Sequence, residues 1–281
     1  MSIDITPLSQ ALGAEIRGLD LGEPLKASTI VEVEDAWHEH IVLVFRDQDL
    51  DEDAQLRFAK QFGTLGERAR PAERRAEGAD YNSAIMLVSN VRENGIPIGS
   101  LRDGEMWFHH DMSYTEAPYK GTMLYGIEIP SIGGNTKFAN MYKAYDMLSE
   151  TIRDRIRGMR ALHIYDFALR ERVDLAGDIS GYKHKAQPIA VTHPGTGRKA
   201  LYVNPLITAR IEDVSADEGN ALLDELLEFT EQPELIYEHV WRPGDLVMWD
   251  NWCSCHARTD FPETERRLLR RCTILGQPLY E

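Results

Sequence analysis

Cysteine is scarce in this chain, and its pattern excludes a disulfide framework: Cys253, Cys255 and Cys272 make an odd count without spaced pairs. Three free thiols are the expectation. Cys253-x-Cys255-His256 invites a soft-metal reading, but structural zinc sites need a second pair of ligands at a suitable spacing, and none is present. No apolar run approaches the length of a membrane span, and the opening MSIDITPLSQ lacks the basic-then-apolar order of a signal peptide, so a cytoplasmic location without a membrane partner is expected. Basic residues are outnumbered, 31 Lys and Arg against 46 Asp and Glu, giving a formal net charge of -15. Nucleic acid and anionic lipid would be repelled over most of such a surface, so neither is an expected partner. Any anionic ligand must instead meet a local cluster of arginines. Internal repeats, low-complexity tracts and long Gly, Pro or Ser linkers are missing too, and residues 1–281 are read as one domain whose 43% hydrophobic content suffices for a core.

What is present reads as strands flanked by helices. IVLVF (41–45) is a short buried strand, and DEDAQLRFAKQFG is a helix with acids in its first turn and Gly63 past its end. From residue 85 strands dominate: IMLVSN, MWFHHDMSY, TMLYGIEI and, after the Gly133-Gly134-Asn135 turn, TKFAN. A helical pair is expected at about 141–158, with Ser149 as an N-cap, and Ser215 with Glu218 forms a capping box before a helix striped by Leu222, Leu223, Leu226 and Leu227. LIYEHVW, DLVMWDNW and RRLLRRCTIL are further strands. Strands joined by turns, with helices outside, fit a mainly β protein of jelly-roll type better than a parallel α/β winding. Two polar stretches, 64–83 and 168–186, carry no period and read as loops.

Within MWFHHDMSY, two histidines and an aspartate sit in an apolar, aromatic run, where an unpartnered polar cluster is costly. If this stretch is extended, side chains alternate, so His109 and Asp111 share a face with Trp107 while His110 points away. His-x-Asp on one face supplies two of the three ligands of an iron(II) facial triad; it equally fits a His–Asp hydrogen bond on a barrel wall. His256 follows another buried strand. Beyond it, Arg267, Leu269, Arg271 and Thr273 share one face of RRLLRRCTIL, and an inward arginine calls for an anion, best met as a carboxylate. The alternative for these arginines is surface ion pairing. His38 and His40 lie in a helical pattern, and His163, His184, His193 and His239 have no ligand spacing, so none is assigned a role.

The ordered set LGAEIRGLDL, IVLVFRDQDL, WFHHDMSY, PSIGGNTKFANMYKAYDML, GDLVMWDNWCSCH and RRLLRRCTIL resembles the iron(II)- and 2-oxoglutarate-dependent dioxygenases of the taurine and 2,4-dichlorophenoxyacetate dioxygenase group over nearly the whole chain. The resemblance implies a double-stranded β-helix, or jelly-roll, barrel with flanking helices. It also implies metal ligands at His109, Asp111 and His256, 2-oxoglutarate held by Thr136 and Arg267, and Arg271 on the acidic group of the substrate. Iron(II), 2-oxoglutarate and O2 would then drive hydroxylation of a small organic acid, with succinate and CO2 released, in a homodimer or homotetramer. Trp107, Phe108 and Tyr114 are candidate pocket walls or plain core. Two departures stand out: Phe108 separates Trp107 from His109, and no histidine lies between His40 and His109, where the taurine enzyme has its sulfonate contact. Taurine is therefore disfavoured against a carboxylate, another sulfonate or a sulfate ester, with aryloxyalkanoates preferred. Arg68 or Arg70 could replace the missing contact or lie in a solvated loop. A non-catalytic anion-binding jelly roll and a zinc hydrolase with the same ligands stay open as alternatives.

Overall fold

Val42–Phe45 is apolar at every position because both of its faces are covered. Val42 and Val44 join one core cluster with Phe138, Val247, Trp249 and Leu269, and Leu43 and Phe45 join a second with Trp37, Phe58, Met123 and Met248. This strand lies inside a seven-stranded sheet of the computed structural model, which describes residues 3–67, 82–101, 104–165, 167–169 and 175–281. The strand order is Asp4–Pro7, Ala14–Arg17, Val42–Phe45, Leu246–Asp250, Gly121–Glu128, Leu268–Ile274, Met86–Ser89. Only the pairing of Ala14–Arg17 with Val42–Phe45 is parallel. A second, antiparallel sheet of four strands runs Ile236–His239, Thr136–Asn140, Ser254–Arg258, Met106–His109. The first cluster is shared by the two sheets, and the second lies between the larger sheet and the helices Ala27–His40 and Glu52–Ala59.

Local chemistry explains where the elements begin and approach one another. Asp51 caps Glu52–Ala59 by accepting from the Ala54 N–H, with Glu52 and Asp53 in the first turn where the helix dipole favours them. Ser149 does the same for Glu150–Ile156 through the Ile152 N–H. Ser215 accepts from the Glu218 N–H at the start of Ala216–Glu228, but only half of the capping box closes, because the Glu218 carboxylate turns to Arg155 instead. Gly121 is required by packing: a Cβ there would come within 2.5 Å of the Trp37 ring. Among the described residues no helix is long and apolar enough to cross a membrane.

Two expectations are corrected. MWFHHDMSY is a strand only over Met106–His109; Asp111 onward turns away, with Met112 at φ 60°. The polar stretch 168–186 is not all loop, since His184–Pro188 pairs in register with Arg160–Ile164. Lys185 and Gln187 alternate against His163 and Ala161 there, a half-polar edge that reads as loop because it lacks apolar alternation. Residues 68–81, with Arg68 and Arg70, and residues 170–174 lie outside the described residues.

Candidate active site

His109 is the last residue of its strand and pairs across to His256, which sits mid-strand in Ser254–Arg258. This register brings the two imidazoles together, tilted by 43° at 4.2 Å between ring centroids. The Asp111 carboxylate joins them: Oδ1 lies 4.0 Å from His109 Nε2, and Oδ2 lies 4.0 Å from His256 Nε2. All three ligand atoms fall within 4.8 Å of one another. The Trp107 carbonyl lies 2.8 Å from His109 Nδ1, and since a carbonyl only accepts, the proton belongs on Nδ1 and the Nε2 lone pair faces the cluster. Burial first, then the neighbouring His109, push His256 down to about 3, so its imidazole is neutral at physiological pH. Burial works against the Asp111 carboxylate, but the Arg271 guanidinium, the two imidazoles and the Thr122 hydroxyl outweigh it and hold the group below the usual carboxylate range. Two imidazoles and one carboxylate, convergent and part-open, are a donor set suited to iron(II).

The cluster lies at a cavity of about 370 Å³ that also takes in Thr136, Arg267 and Arg271. The arginines of Leu268–Ile274 and of the two residues before it are separated by face. Arg270 turns away to Gln55 and the Leu50 and Asp51 carbonyls, and Arg266 forms a surface pair with Glu128. Arg267, only 1% exposed, instead reaches the cavity. Its Nε and Nη2 donate to the Gly134 carbonyl at 3.2 and 3.1 Å, and Nη1 has no hydrogen-bond partner. No carboxylate pairs with it among the described residues, and burial followed by the charge of Arg258 pushes its pKa down to about 9. Such a guanidinium is an anion site short of its anion. The turn that feeds it cannot carry side chains: Gly133 and Gly134 have φ of 73° and 65°, and a Cβ on Gly133 would lie 2.2 Å from the Asp260 carbonyl. Thr136 opens the next strand beside this turn, its hydroxyl accepting from Trp241 Nε1 at 3.0 Å.

Arg271 shares the cavity side with Arg267 and has a further contact. Its Nη2 donates to Asp111 Oδ2 at 2.6 Å, the oxygen that also accepts from Thr122 at 2.9 Å, so it is tied to a candidate metal ligand as well as facing the cavity. Replacing it would therefore disturb Asp111. Of the three aromatics proposed as walls only Tyr114 lines the cavity; Trp107 is 44% exposed and Phe108 packs in the core shared by the sheets. Trp107 fails the alternation because the ladder opposite it is bulged between His256 and Arg258. Sequence reasoning missed an apolar part of the wall, Met106, Met112, Tyr165, Leu206 and Ile207, which form a satellite cluster with Tyr114 from three separate chain segments. No local periodicity announces such a cluster. It also missed Thr122, whose hydroxyl looked like one more β-branched strand residue.

A second convergence of ligand-type groups, His193, Asp250 and Cys253, is a closed hydrogen-bonded set. His193 Nε2 meets Asp250 at 2.9 Å and its Nδ1 accepts from the Gly195 and Thr196 N–H groups, so neither nitrogen is available.

The family described as "Taurine catabolism dioxygenase TauD, TfdA family" matches residues 4–273. The chain is 34% identical over 301 residues to the (S)-phenoxypropionate/alpha-ketoglutarate-dioxygenase of Sphingobium herbicidovorans, covering 100% of this chain and 97% of that protein. It is 34% identical over 287 residues to the alpha-ketoglutarate-dependent 2,4-dichlorophenoxyacetate dioxygenase of Cupriavidus pinatubonensis, covering 98% of each. The crystal structure of AAD-2 in complex with Mn(II) and N-oxalylglycine superposes with a TM-score of 0.81 at 32% identity, over 100% of both chains.

Proposed function

This chain belongs to the taurine catabolism dioxygenase TauD, TfdA family and is a dioxygenase using iron(II), 2-oxoglutarate and O2; from that premise we propose that it hydroxylates a small organic acid with an apolar, aryloxyalkanoate-like body. One observation carries the site assignment: His109, Asp111 and His256 converge at the same cavity as a buried arginine that lacks an anion. A binding module would have no use for both features, and a zinc hydrolase none for the second. The proposal extends to one dioxygenase domain over residues 1–281, built as a double-stranded β-helix from the two sheets, and to a homo-oligomer.

When bound, the iron, keto acid and O2 together supply the oxidation, in which CO2 leaves, one oxygen atom enters succinate and the other enters a substrate C–H bond. The chain binds and orients. His109 and His256 would hold the metal through Nε2 and Asp111 through its carboxylate, leaving the cavity side open. Arg267 Nη1 and the Thr136 hydroxyl would fix the far carboxylate of 2-oxoglutarate, which sets the angle of its keto acid end as well as its affinity. Arg271 would meet the substrate acid with the part of its guanidinium not engaged by Asp111, its Nε having no partner. Met106, Tyr114, Tyr165 and Leu206 would cover the apolar body and keep water out.

The test has two arms. Anaerobic titration with iron(II) and 2-oxoglutarate should give the visible charge-transfer band of a chelated keto acid, lost in His109→Ala. Aerobic succinate release should then respond most to an aryloxyacetate or alkyl sulfate and least to taurine. No band from folded, iron-loaded protein would overturn the site assignment, and taurine as the best substrate would overturn the substrate class alone.

A further inference from the structure

Asp111 presents a problem that strand alternation does not solve. Its strand has already ended at His109, and the residue after it, Met112, is left-handed. A carboxylate carried on such a turn needs something to hold the backbone beneath it. Asn251 occupies that place. It is fully buried in the turn between Leu246–Asp250 and Ser254–Arg258, the latter being the strand of His256. Its Oδ1 accepts from the Asp111 N–H at 2.6 Å, while its Nδ2 donates to the Asp111 carbonyl at 2.9 Å and to the Tyr119 carbonyl at 2.9 Å. A single side-chain amide thus gives Asp111 the donor and acceptor pair that an opposing residue supplies in an antiparallel ladder.

The carboxylate above is aimed separately. Thr122 and Arg271 both donate to Oδ2, whereas Oδ1 faces His109 Nε2 at 4.0 Å. With Oδ2 restrained and the backbone clamped, Oδ1 is the oxygen left for a cation. We propose that Asn251 is a positioning residue of the metal site: acting through the Asp111 main chain, it substitutes for the strand that ends too early and sets where the third ligand stands relative to the two imidazoles. Its premise is that His109, Asp111 and His256 hold iron. Asparagine is the residue type this job demands. Aspartate would turn a carboxylate oxygen toward two carbonyls, and alanine would leave an N–H and two carbonyls without partners in a buried corner.

Cobalt(II) is a suitable probe, since its d–d absorption reports ligand geometry directly. Metal-free wild type, Asn251→Asp, Asn251→Ala and Ser254→Ala would be titrated with Co(II), with far-UV circular dichroism and thermal unfolding of each before metal is added. Ser254 is a control in the same corner, bonded to the Asp250 carbonyl and not to Asp111. Both Asn251 variants should fold, bind Co(II) about 10–100-fold more weakly and show altered d–d bands, as loss of a partner that orients a ligand does; Ser254→Ala should match wild type in affinity and spectrum. Wild-type affinity and bands in the Asn251 variants would overturn the assignment. So would their failure to fold, which would make Asn251 a general structural residue. A wild type that binds no Co(II) would overturn the premise itself, a result distinguishable from the others because it does not depend on residue 251.

Discussion

Arg267 is the residue whose surroundings say most about what it awaits. It is stripped of water, its guanidinium hydrogen-bonds only the Gly134 carbonyl among the described residues, and it keeps one nitrogen without a partner. A charge-assisted hydrogen bond is worth about 1.5–3 kcal/mol, so Arg267→Ala should weaken 2-oxoglutarate binding roughly 10–100-fold while leaving the metal ligands in place. Anaerobic titration of the charge-transfer band measures this, and unchanged affinity would show that the arginine serves something else. Its need for an anion was legible in the sequence, because an arginine turned inward from an apolar strand is stable only where an anion meets it. The contact between Arg271 and Asp111 was not legible. Nothing in the spacing of two residues 160 positions apart indicates that they touch.

At the scale of elements, the turn Gly133-Gly134 is the part with least freedom. It combines two left-handed residues with a close approach to the Asp260 carbonyl, and it delivers both the Gly134 carbonyl to Arg267 and Thr136 to the cavity. Gly133→Ala should therefore lower stability by about 1–3 kcal/mol and raise the 2-oxoglutarate dissociation constant together. Leu222→Ala, in the apolar stripe of Ala216–Glu228, should cost about 2–4 kcal/mol in chemical denaturation and leave cosubstrate affinity unchanged, since Leu222 is buried in the core and does not line the cavity. The contrast separates a turn that builds the site from a helix that only supports the sheets. Helices and central strands could be read in advance because period and capping are local signals. The Met106–His109 strand was read too long, since the chemistry that stops it lies in Asn251 and in a bulge on the partner strand. His109, Asp111 and His256 were picked out as a converging set even though alternation was not what brought Asp111 round.

At the scale of the whole molecule, acid is the condition to which this fold should be sensitive. His163 is fully buried, and burial lowers its pKa to about 3. Above the unfolded value of about 6.5 both states are neutral and the group is silent; below it the unfolded chain takes a proton that the folded chain refuses. Stability is thus lost as pH falls from about 6.5 toward about 3. Urea midpoints at pH 7 and pH 5 should converge in His163→Phe relative to wild type, and an identical pH slope in the two proteins would remove His163 from the account.

The two sheets also impose an order on biosynthesis. Val42 pairs with Trp249, Met86 with Arg271 and His109 with His256, so these strands from the first half of the chain each wait for a partner from its last portion. The nascent polypeptide leaves the ribosome N-terminus first and dwells for many seconds with its hydrophobic edges open. A metal held by His109, Asp111 and His256 would accordingly find its three ligands together only after His256 has been made and its strand has paired.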